Sequence, residues 1–181
     1  MQTLLPLKSE STNLYYRNAE KNDIPRLQAI CESWTDKLLV EGEDFAPDYI
    51  SNCIEKGDLP PIENAKIENY AFKAICRKTD NEIIGFFDMY HGYPTLDTLW
   101  ISMFVIDQSV QKSGFGSEMV DLLSHDAKQS GFSTLGIGVY LKNQKGLLFW
   151  VKNRFDKILE FEGSKKMDVE TYPIIKLKKT L

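Results

Sequence analysis

IDQSVQKSGFGSEMVDLLSHDAKQSGF, residues 106–132, joins a run that is apolar at nearly every position to one that is amphipathic. Upstream, Leu99 to Ile106 reads as a strand covered on both faces. Downstream, Phe115, Met119, Leu122, Leu123 and Ala127 share one face of a helix from about Gly114 to Gln129, which Gly131 stops. Between the two lies a polar loop, Gln111 to Gly116, with glycines at 114 and 116. Such a joint has two readings. The first amides of a helix have no partners within it, and the helix dipole adds positive charge there. A phosphate can sit on those amides if no side chain blocks the approach, and glycine has none. Alternatively, the glycines simply make a tight turn. The dinucleotide loop G-x-G-x-x-G fails at Met119, and no run matches the G-x-x-x-x-G-K-[ST] of nucleotide triphosphatases.

Working outward, Leu14 to Arg17 reads as a short strand. Asn22 or Asp23 can cap a helix whose first turn holds Pro25 and whose apolar face carries Ile24, Leu27, Ile30, Cys31 and Trp34. A second helix is expected from Pro47 to Lys56, ending at Gly57. Pro60-Pro61 makes residues 58–69 a loop. Tyr70 to Arg77 and Glu82 to Tyr90 form a hairpin about Thr79-Asp80-Asn81. After the quoted stretch come a strand from Leu135 to Leu141, a helix from Lys145 to Asn153, and strands at Ile158 to Glu162 and Pro173 to Lys178. The order β-α-α-β-β-β-α-β-α-β-β describes a mixed α/β fold in one domain, residues 1–181, with residues 1–13 expected to be loosely ordered.

Composition narrows the function classes. A net charge of −4 over 181 residues does not point to nucleic acid, and the lysines of the C-terminal KLKKTL read as a solvated end. Cys31, Cys53 and Cys76 are odd in number and lack a C-x-x-C pair, which favours buried thiols in a reducing compartment. His91 and His125 have no companions at metal-ligand spacing, so no metal is expected. No apolar run nears the roughly 20 residues of a membrane span, and the N-terminus lacks the pattern of a signal peptide. A cytoplasmic protein is the resulting expectation.

The pattern Q-x-x-G-x-G after a strong strand and before a helix resembles the coenzyme A pyrophosphate loop of the GNAT family of N-acetyltransferases. Gln111, Gly114 and Gly116 carry the likeness. The family's second motif, N-x-x-A-x-x-x-Y-x-x-x-G-F, is matched by Asn143 and Phe155, while Trp150 and Arg154 stand where it has tyrosine and glycine. The resemblance covers roughly residues 14–161 and includes the hairpin with Ile84-Gly85. It implies the acyl-coenzyme A N-acyltransferase fold, with a mostly antiparallel central sheet flanked by helices.

It implies chemistry as well. The cosubstrate would be acetyl-coenzyme A. Its pantetheine arm would pair with the backbone of Phe104, Val105 and Ile106, and its pyrophosphate would meet the amides of Gln111, Lys112, Ser113, Gly114, Phe115 and Gly116. Asn143 would hold the arm, cap a helix, or do both. Trp150 and Phe149 would pack near the thiol or in the core. Arg154 in the glycine position implies a helix end without the usual left-handed stop. An amine would attack the thioester directly, which needs a group to take its proton and another to serve the leaving thiolate.

Trp150 is no practical acid, so Tyr140 is the substitute candidate; water alone is the alternative. Asp88 is the candidate base if it is buried among its apolar neighbours; otherwise it is a strand-end residue facing solvent. His91 and Asp97 are weaker choices. Glu41, Glu43 and Asp44 read as a solvated acidic loop near the acceptor. The resemblance leaves the acceptor open among small amines, peptides and protein N-termini, with a cationic amine favoured by the acidic balance. A homodimer is expected by analogy alone. The rivals are an acyl-coenzyme A-binding module that has lost transfer, acting as sensor or partner, and a different phosphate binder.

Overall fold

A computed structural model describes residues 4–164 and 168–181. The hairpin at the centre follows from two largely apolar runs and the turn chemistry between them. Tyr70–Arg77 (β3) and Ile83–His91 (β4) pair antiparallel, and Thr98–Ile106 (β5) adds to β4 on the other side. On the far edge lie Leu14–Asn18 (β2) and Lys8–Glu10 (β1). Thr134–Tyr140 (β6), Lys157–Glu162 (β7) and Ile174–Thr180 (β8) complete a sheet of eight described strands in the order β1-β2-β3-β4-β5-β6-β8-β7. Among the described strands, only the β5–β6 pairing is parallel.

Helices cover both faces. Ile24–Ser33 (α1), Lys37–Glu41 (α2) and Tyr49–Lys56 (α3) precede the hairpin, while Phe115–Gln129 (α4) and Gln144–Lys152 (α5) follow β5 and β6. Leu27, Ile30, Ile50 and Cys53 pack on Phe72, Ala74, Phe86 and Val105 to make one core. Met119, Leu123, Trp150 and Phe155 pack on Ile75, Phe87, Ile101 and Ile137 to make the other. All three cysteines are buried and unpaired. Among the described residues no helix is long and apolar enough to cross a membrane.

Three local expectations need correction. The first lies in residues 1–13, of which 1–3 fall outside the described residues. Lys8–Glu10 is a strand, and the segment before it is fastened down. Leu5 is buried, and its N–H donates to His91 Nε2 at 3.2 Å while His91 Nδ1 meets the Asn69 carbonyl at 2.7 Å. The buried Lys73 ammonium donates to the Pro6 carbonyl at 2.9 Å and to Asn18 Oδ1 at 2.6 Å. Second, Asp23 precedes α1 but gives it no side-chain cap. Its carboxylate instead takes both Arg17 guanidinium nitrogens, at 2.6 and 2.8 Å, and the Glu20 amide. Third, Arg154 after α5 does take the left-handed conformation, with φ +70°, and the Phe155 N–H closes back on the Trp150 carbonyl. The helix ends as a glycine-stopped helix would, with a Cβ in an unfavourable place.

Candidate active site

The site begins with a change of direction in β5. Its parallel pairing with β6 runs from Thr98↔Thr134 to Ile101↔Ile137 and goes no further. On its other side, β5 is out of step with β4 at the same level. Asp88 faces Met103 and Met89 faces Ile101, so Ser102 is an extra residue. Such a bulge bends and twists the strand that carries it. Beyond it, Gly138, Val139 and Tyr140 of β6 pair with β8, leaving their β5 side open.

The opening is a cleft of about 510 Å³. That is within the usual range for small-molecule sites. Phe104, Val105, Ile106, Gln111, Lys112, Gly114, Phe115, Gly116, Asn143, Trp150 and Tyr140 all border it. Ser113 is exposed and does not. Asp88 does not border it either.

The two glycines have different reasons. Gly114 caps α4 with φ +88°, a conformation that strains other residues, and a Cβ there would meet nothing within 4 Å. The loop above it is therefore open to a ligand. Gly116 has an ordinary φ, but a Cβ would come within 3.0 Å of the Phe149 ring. It lets α4 and α5 close together at the base of the cleft. Lys112 is also left-handed, at φ +64°. Left-handed residues in a loop turn successive amides inward, and such concavities bind anions. Gln111 Nε2 donates to the Ile106 carbonyl at 2.9 Å and fastens the loop to the end of β5.

Across the cleft, Asn143 caps α5, its side-chain oxygen accepting the Gly146 N–H at 2.9 Å. Trp150 is 6% exposed and packs edge-on against Phe104, Phe149 and Phe155. It belongs to the core with one side on the cleft. Tyr140 is half-buried. Burial first, then Glu41, Glu43 and Glu162, push its phenol above the ordinary value, so it stays protonated at neutral pH.

The sequence missed α2 altogether. Trp34, Asp36 and Glu41, just before it or at its end, form the remaining wall of the cleft. Glu41 is not a solvated loop residue: its side chain is 11% exposed and 3.2 Å from the buried Lys37 ammonium. Burial raises its carboxyl, with Lys37 opposing. No period shows in five residues, so only the acidic tone of the segment hinted at this wall. Asp36 also meets Lys145 of α5 at 2.9 Å, joining the two lips. Behind Tyr140 and Glu41, which border both spaces, is a second cavity of about 320 Å³ with Glu43, Glu162 and Tyr172 on its walls.

Asp88 lies elsewhere. It is fully buried on the α1–α3 side of β4. Its Oδ1 accepts the Met103 N–H at 2.6 Å and its Oδ2 the Tyr70 hydroxyl at 2.7 Å. Burial pushes it up to about 7 against those two hydrogen bonds. Tyr140 and Asp88 are thus not brought together. His91 is held by the N-terminal segment, and Asp97 bonds Thr95 and Ser133 in an exposed turn. No group of three or more His, Cys, Asp or Glu side chains suited to a metal occurs among the described residues.

Comparison with known proteins gives a consistent picture. The model of the acetyltransferase (GNAT) family matches residues 29–154, from within α1 to just past α5. No curated protein sequence matches the chain significantly. Among solved structures, an acetyltransferase from Thermus thermophilus superposes with a TM-score of 0.69 at 17% identity, covering 94% of this chain and 98% of that one. A probable GNAT acetyltransferase from Chromobacterium violaceum gives 0.76 at 9% identity over 99% and 89% of the two chains. A Salmonella typhimurium acetyl transferase that modifies the N-terminal serine of ribosomal protein L7/L12 gives 0.70 at 15% identity, covering 98% of each. These likenesses fix the fold: a mixed α/β domain with a mostly antiparallel open sheet.

Proposed function

The chain belongs to the acetyltransferase (GNAT) family, and on that premise we propose that it transfers the acetyl group of acetyl-coenzyme A to a primary amine. The observation that carries this reading is the cleft between the diverging halves of β5 and β6, which runs to the Gly114 loop. Phosphates would lie on the loop and the first amides of α4. The pantetheine arm would lie along Phe104 to Ile106, with Asn143 opposite. The thioester would then be near Tyr140.

The amine nitrogen attacks the carbonyl carbon, the carbon–sulfur bond breaks, and the amine sheds a proton. Tyr140, protonated at neutral pH, donates to the leaving thiolate. Glu41 is better located than Asp88 to receive the amine's proton, because it borders both cavities and its carboxyl is raised. In the smaller cavity Glu41 and Glu162 pair with Lys37 and Lys176, and Lys142 lies over the Tyr172 ring, so a cationic acceptor there would rest chiefly on Glu43. A cytoplasmic setting accords with this cosubstrate.

The test is calorimetric titration with acetyl-coenzyme A, with ATP and NAD as controls, followed by a screen of amines by thiol release. Selective binding and turnover are expected. Binding without turnover on any amine would favour the acyl-coenzyme A-binding module, the reading that Trp150 in the family's tyrosine position supports. No binding would remove the coenzyme site.

A further inference from the structure

We propose that Asp88 is a positioning residue: its carboxyl group holds the Met103 amide at the bulge of β5 and so keeps the cleft wall in its splayed course. The inference rests on the cleft being the acetyl-coenzyme A site.

The bulge and the cleft are one construction. Ser102 is the residue that β4 does not match, and β5 parts from β6 immediately after Ile101. An extra residue breaks the ladder, so an amide beside it loses its regular partner. Met103 is that neighbour, and its N–H goes to a side chain, Asp88 Oδ1, at 2.6 Å. A buried amide without a partner is strongly disfavoured, so the carboxyl makes the bulged course tenable. Met103 and the next residue, Phe104, both border the cleft.

The other carboxyl oxygen fixes the first. Tyr70 on β3 donates its hydroxyl to Oδ2 at 2.7 Å, which orients the group across β4. Asp88 is 0% exposed and does not border the cleft, so it has no open path to an acceptor amine. Its other ionisable neighbours lie on the α3 side: Cys53 is buried, Tyr49 half-buried and Asp58 exposed, and burial raises the thiol and the phenol. The clamp needs no charge change, since a carboxyl oxygen accepts the Met103 N–H whether or not its partner oxygen carries a proton. A side-chain amide can do the same.

This yields a test that separates a clamp from a base. Asp88→Asn keeps an acceptor for Met103; Asp88→Ala removes it. Amide exchange of Met103 is read by NMR in the ligand-free protein, and kcat, the KM for acetyl-coenzyme A and the pH–rate profile are read with the best amine found. For Asp88→Asn, Met103 should stay at least as protected from exchange as in wild type and KM should stay within about twofold, with the acidic limb unmoved. For Asp88→Ala, Met103 exchange should accelerate and KM should rise roughly tenfold, with a smaller change in kcat. The proposal is overturned if Asp88→Asn abolishes turnover and flattens the acidic limb while Met103 exchange is unchanged. It is also overturned if Asp88→Ala leaves both exchange and KM untouched. Should Asp88→Ala not fold, the Asp88→Asn profile alone decides. If the wild-type protein binds no acetyl-coenzyme A, the functional reading fails, and amide exchange still tests the clamp.

Discussion

Tyr140 and Glu41 meet at the boundary of the two cavities, and each has a distinct kinetic signature. Tyr140→Phe removes the proton donor and little else. It should lower kcat roughly tenfold to a hundredfold and leave acetyl-coenzyme A affinity unchanged by calorimetry. Glu41 works only when ionised. The rate should fall as pH drops through its raised value, and Glu41→Gln should lower kcat and flatten that limb. Asp88 has a thermodynamic signature instead. Its folded value of about 7 lies above the ordinary carboxyl value of 3.8, so between those pH values the folded state holds the proton more tightly than the unfolded state. Its contribution to stability is therefore present below the ordinary value and lost as pH rises through about 7. Asp88→Asn has no such dependence. Its urea-derived stability should gain on wild type between about pH 4 and about pH 8, with a ceiling of roughly 4 kcal/mol.

At this scale the sequence showed some things and hid others. The context of Asp88 allowed a buried carboxyl, and it is one. That its partners are Tyr70 and Met103 depends on strand register across three strands, which no local pattern encodes. Gly114 was legible as a left-handed or ligand-facing position. Gly116 was not, because its reason is the Phe149 ring on a different helix, far along the chain.

Elements carry a different lesson. β3, β4, β5 and α4 were legible to within a residue or so, because the strands are long and apolar, α4 is periodic, and all are bounded by turn residues. α2 has five residues and exposes Leu38 and Leu39, so it lacks an apolar face to read. β1 has three residues, none of them apolar, and exists because β2 offers an edge. The end of α5 was misread for an instructive reason. The Phe155 N–H must return to the Trp150 carbonyl for Phe155 to reach the core, so the backbone bends left-handed whatever residue stands at 154. Arg154→Gly should relieve that strain and raise stability by about 1 kcal/mol, seen as a higher urea midpoint at unchanged slope. A lowered midpoint would show that the arginine side chain supplies more than its backbone loses.

For the whole molecule, the cleft separates two sets of strands joined by a four-residue parallel ladder. A ligand lying between them touches both sets, and binding to the folded state alone adds stability by mass action. Acetyl-coenzyme A at about a hundred times its dissociation constant should add roughly 2.7 kcal/mol, read as a rise in melting temperature that ATP and NAD do not give.

The fastening of the N-terminal segment also sets an order in time. Leu5 waits for His91, and Pro6 for Lys73, so these two residues are made well before their partners and are among the last of this half to dock. At typical synthesis rates of about 5–20 residues per second, the 86 positions between Leu5 and His91 represent roughly 4–17 s. Through most of that interval the edge of β2 that β3 will cover stays open, and the leucines at 4 and 5 travel on an untethered chain. An open strand edge beside loose apolar residues invites pairing with a neighbouring chain. The nascent protein is thus most exposed to misassociation before residue 91 has left the ribosome.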